Sequence, residues 1–555
     1  MLQSWQALRI TRRLWAIADC PSALRSGYSR PACSGFPGIR FAMALYTNKS
    51  AFAYCCLQPK IMISKKTEIH PQLKTTIEEC DREPIHIPGT VQSFGCLVAF
   101  DQNQRITRAS ENVKQRFKQA ASDLIGKPIS SILHDSDAAR IVHASDCDEV
   151  ARLRRIRIKD GSDLYAFVHD AGAERYLDIV SHGNTYDPLE SMQSFVDAVD
   201  SATTTNDCLN SIVRQLRKLT KFDRVKIYRF DKDWHGEVVA ESRVDDIPSY
   251  LGLHFPESDI PRQARDLYLR NRIRVIGDVN DPQSTIIQQT GLEPLDLSFS
   301  FIRSVSPIHL QYLRNIDIAS STSISITRGG NLWGLITCHH RTPRQFTAAD
   351  ESFFRTLSTI CSSWLSSLEQ VELTLATRKS FDFLQKILPK LETETLSFLL
   401  QDGTAMDDLI RSAGVVVAGN GTFLTKNQVP DADTLARLVA WLEAREEKIF
   451  ACDDLNIKFG AMDSPACGLL AAKVPNRNQT WLMWFRQEVI QEISWASDPY
   501  KPKSSSQFGE RLYPRTSISI WKETKCGHSE SWRENEINSA TDLVNLLGIS
   551  TLFCR

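Results

Sequence analysis

The sequence predicts an α+β protein of three successive domains, each an antiparallel sheet with flanking helices, the second joined to the third by a long helix. Three observations lead there. The chain has 555 residues, which at roughly 150 residues per domain gives three to four domains. Hydrophobic residues make up 42% and charged residues 24%, an ordinary globular balance that excludes a wholly disordered or membrane-spanning chain. Phe353, Leu357, Ile360, Trp364, Leu368, Val371 and Leu375 recur at spacings of 4, 3, 4, 4, 3 and 4, one apolar stripe of helical period.

The formal charge of zero hides an asymmetry. Residues 1–61 hold eight basic side chains (Arg9, Arg12, Arg13, Arg25, Arg30, Arg40, Lys49 and Lys60) against one acid, Asp19, while the remainder carries 58 basic and 65 acidic groups. This leader has no clear period and no apolar run long enough to span a bilayer. Its composition fits translated sequence upstream of a start at Met62, a disordered tail, or an organelle transit peptide; the first is the expectation. With no net charge, nothing global favours nucleic acid or an anionic membrane as partner.

The first domain is expected over 62–183. A strand-like GCLVAFD (95–101) precedes a polar turn and the runs ARLRRIRI and LYAFVHD. The second covers 184–370, with strands over 225–230, 236–242, 323–327 and 332–339 and helices over 188–219, 260–271 and 309–317. The apolar stripe then forms the connecting helix, which faces a sheet or a second copy of itself, with Pro389 marking a kink or end. The third domain covers 371–547, with strands in GVVVAGN, KIFACDD and TWLMWFR, and 548–555 is a tail.

Ten cysteines scattered through 62–555 show neither a disulfide framework nor a CxxC pair, so reduced thiols in a cytoplasmic protein are expected. The run Cys338-His339-His340 lacks the spacing of a structural zinc site, and no metal is predicted. No Walker A loop, GxGxxG, HExxH or GxSxG elbow is present, and no enzymatic activity is expected.

Six phrases carry more. They are CDREPIHIPGTVQSFG from Cys80, FPESDIPRQAR from Phe255, RSVSPIHLQYLRNI from Arg303, WGLITCHHRTPRQF from Trp333, WFRQEVIQEISWASDP from Trp484 and YPRTSISIWKE from Tyr513. In this order they resemble the photosensory module of bacteriophytochromes, with PAS, GAF and PHY domains, over roughly 62–545. The resemblance implies a red/far-red photoreceptor carrying covalent biliverdin IXα, a homodimer, and an N-terminal segment threaded through a loop of the GAF domain as a knot. Cys80 matches the cysteine that forms the thioether. Plant and cyanobacterial phytochromes use a cysteine directly before the histidine of the later motif, where Ile308 stands here.

By the same resemblance Asp259, Ile260 and Pro261 belong to the stretch that meets the pyrrole nitrogens. His309 packs beside the inner rings, where a neutral imidazole both donates and accepts. Arg274 and Arg303 take the propionates, helped by hydroxyls of Tyr268, Ser306, Ser321 and Ser323. Tyr228, Tyr250, Phe255 and Tyr312 cage the isomerising ring, and His339 lies near its carbonyl. A hairpin tongue from the PHY domain brings Arg515 to the Asp259 carboxylate, a latch that Ser517 takes over in the other light state while Trp495 and Trp521 exchange as anchors. The sequence departs from the pattern at Lys226 (usually apolar, often methionine), Glu257, Gln487 and Ile518. No kinase region follows, which fits a fragment, a frameshifted gene, or a stand-alone photosensor working through a separate output kinase or response regulator. Three alternatives stand beside this: a GAF small-ligand sensor without pigment, the regulatory half of a split light-regulated histidine kinase, and a defective relic that Lys226 and Ile518 permit.

Overall fold

A computed structural model describes residues 83–142, 152–183, 188–391, 394–460, 465–477, 479–496, 505–506, 509–512 and 520–553. The leader 1–61 and the predicted Cys80, Arg515 and Ser517 lie outside the described residues.

Some strands here read as unbroken apolar runs because both their faces are buried. In Cys96–Asp101, Cys96, Val98 and Phe100 point into one core with Ile106, Val113 and Leu124. Leu97 and Ala99, on the opposite face, join a second core with Phe195, Ile212 and Phe353. Side chains alternate across a strand, so one strand serves both. The first sheet thus lies between its own short helices (Val113–Phe117, Ala121–Leu124, Asp135–Val142) and the second domain.

That sheet has seven strands, in the order Thr90–Val91, Ser284–Gln288, Ile106–Ser110, Cys96–Asp101, Glu174–Val180, Asp163–Ala171 and Arg152–Arg157. The sheet predicted for the first domain also takes in a strand of the second, Ser284–Gln288. Residues 277–304 leave the second sheet and return to it, and the arm 83–92 is bonded to both limbs. Ile286 N–H donates to Gly89 O at 3.0 Å, and Leu297 N–H to His86 O at 2.8 Å. Gln92 fastens the junction: its Nε2 donates to Val275 O and Arg303 O, and its Oε1 accepts from Gly277 N.

The second sheet has eight strands, ordered Ile273–Ile276, Ser320–Arg328, Asn331–His340, Arg224–Phe230, Gly236–Arg243, Leu253–Phe255, Gln491–Trp495 and Trp521–Lys525. The last two are a hairpin from the third domain. Its Ser494 and Trp495 pair with Leu253 and His254 in parallel, so this sheet is not purely antiparallel as expected. The helix expected over 188–219 is two, Pro188–Val199 and Thr205–Thr220. Thr204, in extended conformation, ends the first segment and caps the next by accepting from Asp207 N–H at 3.1 Å. Cys208, Leu209, Ile212, Val213 and Leu216 then form the buried stripe of the second.

The connecting helix, Ala348–Leu391, buries Phe353, Leu357, Cys361 and Leu365 in the second domain and Phe383, Ile387 and Leu391 in the third. The predicted stripe is covered only at its start: Val371 is 46% and Leu375 59% exposed. Pro389 sits inside the helix, two residues before its end. The third sheet orders Thr422–Asn427, Gly414–Gly419, Trp481–Gln487, Ala466–Lys473 and Ile449–Cys452. It repeats the two-sided arrangement. Val415, Val417, Leu482 and Trp484 face the long helix and Glu534–Phe553, while Val416, Ala418, Trp481 and Met483 face Ala432–Glu443. Among the described residues no helix is long and apolar enough to cross a membrane.

Asp178, fully buried in the first sheet, bonds it to the returning limb. It accepts from Phe301 N–H at 2.7 Å and Ser300 Oγ at 2.9 Å, and lies 3.0 Å from His169 Nε2. Asp178→Ala strands these buried groups. Chemical denaturation is expected to show a loss of about 3 kcal/mol, several times that of Asp123→Ala at an exposed position.

Candidate functional site

The strand registers of the second sheet build the site. Arg274 pairs with Ser323, Ser323 with Thr337, Thr337 with Lys226 and Lys226 with Glu241. Directly opposite residues share a face, so this is one polar row; from Arg274 to Lys226 it crosses three strand spacings, about 14 Å. The adjacent row runs Ile276, Ser321, His339 and Arg224. Helices Arg262–Arg270 and Pro307–Asn315, the turn Glu257–Asp259 and the arm at Glu83 and Ile85 close over these rows and enclose a cavity of about 220 Å³.

One end is cationic. Arg303 is buried; its Nη1 donates to Ile85 O at 2.6 Å, and its Nε has no partner. Arg274 is half-buried on the cavity wall and donates to Arg303 O at 2.6 Å and Ser304 O at 2.5 Å. No carboxylate among the described residues lies within ion-pair distance of either. Burial pushes Arg303 down to about 10 and, with the Arg303 charge, holds Arg274 well below the ordinary arginine value. A guanidinium keeps its proton, so the strain acts as a demand for an anion. Ser306 Oγ donates to Glu83 Oε2 at 2.9 Å beside them, and the Tyr268 carbonyl accepts from Ser325 Oγ.

The other end is aromatic. Tyr228 and Phe255 lie 5.8 Å apart, and Tyr228 occupies the space a Cβ on Gly236 would fill, at 1.7 Å from its ring. His309 and Tyr312 stack at 6.1 Å along the helix Pro307–Asn315. Burial and the Arg274 charge push His309 down to about 4, and burial with Lys226, Arg224 and His309 holds His339 well below the ordinary histidine value. Both imidazoles are neutral near pH 7. Asp259 and Ile260 are fixed by prolines on either side, Pro256 and Pro261, both extended. The unusual Glu257 pairs with buried Arg265 at 2.8 Å, and Arg265 also donates to Ile260 O.

Of the predicted residues, Tyr228, Phe255, Asp259, Ile260, Pro261, Tyr268, Arg274, Arg303, Ser306, His309, Tyr312, Ser321, Ser323 and His339 line this cavity. Tyr250 does not. It is buried behind the wall, with the Arg224 guanidinium 3.5 Å above its ring. Trp495 is buried outside the cavity: its Nε1 donates to Glu523 at 2.7 Å and its ring meets His235 and His254 edge-on. Trp521 is its half-buried register partner. The sequence reading missed Glu83, Gln263, Ser304 and Thr337 and treated Lys226 only as a departure. Thr337 had a signal, two residues from His339 on the same strand face.

Four buried polar atoms on this wall lack partners: Arg303 Nε, Ser304 Oγ, Thr337 Oγ1 and His339 Nδ1. Buried polar groups are ordinarily satisfied. Such a wall suits a long, largely apolar ligand with carboxylates at one end and a polar ring at the other.

Family models match the chain in three places: the phytochrome region at 382–551, a GAF domain at 204–363 and a PAS fold at 80–179. The chain is 32% identical over 491 residues to cyanobacterial phytochrome B of Nostoc sp., covering 84% of this chain and 65% of that one. It is 30% identical to a bacteriophytochrome of Xanthomonas campestris pv. campestris, covering 84% and 77%. The crystal structure of a bacteriophytochrome from the photosynthetic bacterium R. palustris superposes with TM-score 0.76 at 32% identity, covering 86% of this chain and 99% of that one. The chain therefore spans slightly less than two thirds of the Nostoc protein.

The low His309 value fixes a pH dependence. Between about 4 and 6.5 the unfolded chain holds the imidazole proton and the native protein does not, so stability is complete above 6.5 and falls on acidification toward 4. Denaturant titrations without added ligand are expected to show this loss in the wild type and a shallower one in His309→Gln.

Proposed function

Because the chain belongs to the phytochrome family of photoreceptors, we propose that it is a red/far-red light sensor whose cavity takes biliverdin IXα, held covalently by Cys80. The observation that carries the pigment assignment is the pair of cavity guanidiniums with no carboxylate partner, fourteen or so ångströms along the polar row from an aromatic end. When bound, the bilin supplies the visible absorption and a double bond that light isomerises. The protein's residues supply the rest. Arg274 and Arg303, with Ser306, Ser321, Ser323 and Tyr268, would hold the two propionates. His309, neutral and on the wall, would order a proton donor or acceptor at the pyrroles, beside Asp259, Ile260 and Pro261. Tyr228, Phe255 and Tyr312 would exclude water from the rotating ring, with His339 at its carbonyl.

Glu83 lines the cavity, and three residues of extended chain reach about 10 Å, which supports attachment through Cys80. The Cys80 thiol adds across a vinyl group, its sulfur bonding one carbon and its proton passing to the other, with no oxidant needed. Signal transfer is read as exchange of the Asp259–Arg515 contact for one with Ser517. The direct pairing of the hairpin strand Gln491–Trp495 with Leu253–Phe255, four residues before Asp259, supports that route. The exposed Val371, Leu373, Leu375 and Phe381 support a homodimer through the long helix. We place the protein in the cytoplasm, signalling to a kinase or response regulator.

Biliverdin added to the purified protein is expected to give a pigment that survives denaturing electrophoresis and a difference spectrum that inverts between red and far-red light. Cys80→Ser is expected to lose the covalent pigment. No covalent pigment in the wild type, or undiminished attachment in the variant, contradicts the assignment.

A further inference from the structure

Lys226 is a charged side chain of the polar row on the cavity wall that the propionate and pyrrole assignments leave unused. It is 6% exposed and lines the cavity. Its Nζ makes no hydrogen bond to a described residue and stands 5.0 Å from the ring centroids of both Tyr250 and Phe255. The nearest anion is committed elsewhere. Glu241, opposite Lys226 on the next strand, takes Arg224 Nε at 2.9 Å, Tyr250 N–H at 3.0 Å and Ser249 Oγ at 2.5 Å. On the other side, opposite Lys226, stands Thr337, whose buried Oγ1 has no partner, and two residues along that strand His339 Nδ1 has none. Three polar groups without partners therefore meet at the aromatic end of the cavity. That is the set a lactam needs, with donors for its carbonyl oxygen and an acceptor for its N–H.

Resting on the bilin reading above, we propose that Lys226 donates to the carbonyl oxygen of the pigment's terminal ring, with Thr337 and His339 completing its cradle, and that the proton on Lys226 sets the colour of the bound pigment as pH changes. An ammonium at that oxygen perturbs the terminal ring; the neutral amine does so far less.

The surrounding charges make the titration readable. Burial, with Arg224 on the same strand, drives Lys226 down to about 7, while Glu241 and Asp259 oppose this. Arg243, 3.9 Å from Glu241, draws further on that carboxylate. His309 from the helix above and His339 from the neighbouring strand are already neutral across pH 6–9. Burial and Asp259 hold the Tyr228 phenol protonated. Tyr250 and Tyr312 add phenols to the same surroundings. A ligand carbonyl favours the charged amine, so the midpoint in the loaded protein falls at 7 or above.

The test has two arms. In the protein without added ligand, the unfolded chain holds the lysine proton up to about 10.5 and the native protein releases it near 7, so stability rises between those values. Lys226→Met is expected to lose that rise, and a wild type without it overturns the buried-amine premise. In the biliverdin-loaded protein, the absorption band is expected to shift with a one-proton titration at constant intensity between pH 6 and 9. Lys226→Met fixes the band near the wild type's high-pH position, and Lys226→Arg near its low-pH position. A wild-type band that does not move, or the same titration in Lys226→Met, overturns the proposal. Pigment uptake is scored first by denaturing electrophoresis; no uptake by any of the three proteins refutes the bilin reading itself and, with it, this role for Lys226.

Discussion

A guanidinium inside a protein needs an anion or enough carbonyl oxygens to replace water, and most of this structure follows from how Arg303 meets that need. Its Nη1 reaches the carbonyl of Ile85 on the N-terminal arm, and its own carbonyl accepts from Arg274 and Gln92. One residue thus ties the arm, the limb that returns from the first sheet and the floor of the cavity. Carbonyls orient the two guanidiniums but carry no net charge. On the proposed reading, a dicarboxylate ligand would neutralise the pair and a neutral one would not.

The same economy of shared parts holds at larger scale. The first sheet has an interior on both faces, the second ends in a hairpin lent by the third domain, and the long helix is buried at both ends. The cavity wall consequently draws on the arm, the returning limb, the central strands and two helices, and a neighbouring strand of that sheet holds the hairpin. On the proposed reading, a pigment ring turning inside such a wall would disturb contacts belonging to several domains, because packed interiors shift between discrete arrangements.

Much of this was legible in the sequence, and the exceptions have physical causes. The central strands follow from period and composition, a helix was expected over 309–317 where Pro307–Asn315 stands, and the cavity residues follow from the resemblance that the six phrases carry. Arg274 and Ser323 were both given to the propionates by the resemblance, and the register puts them side by side. Pairing partners were not legible: nothing local in STIIQ or QEISW says which sheet will take them, since strand pairing is non-local. The break at 200–204 was legible in principle, because Thr204 followed by Asp207 is a cap pattern. The stripe through Val371 and Leu375 announces an amphipathic helix but not what covers it. Tyr250 misled because an aromatic beside a pocket and one behind its wall look alike in sequence; the Arg224 guanidinium over its ring decides the matter.

The central claim is that cavity arginines without a carboxylate partner select a dianionic pigment. The most direct measurement compares, in Cys80→Ser so that no thioether forms, equilibrium binding of biliverdin with that of its dimethyl ester, which keeps the ring system and removes both charges. Losing two charge-assisted contacts should weaken binding by roughly 100-fold or more. Equal affinity for the two compounds would contradict the account.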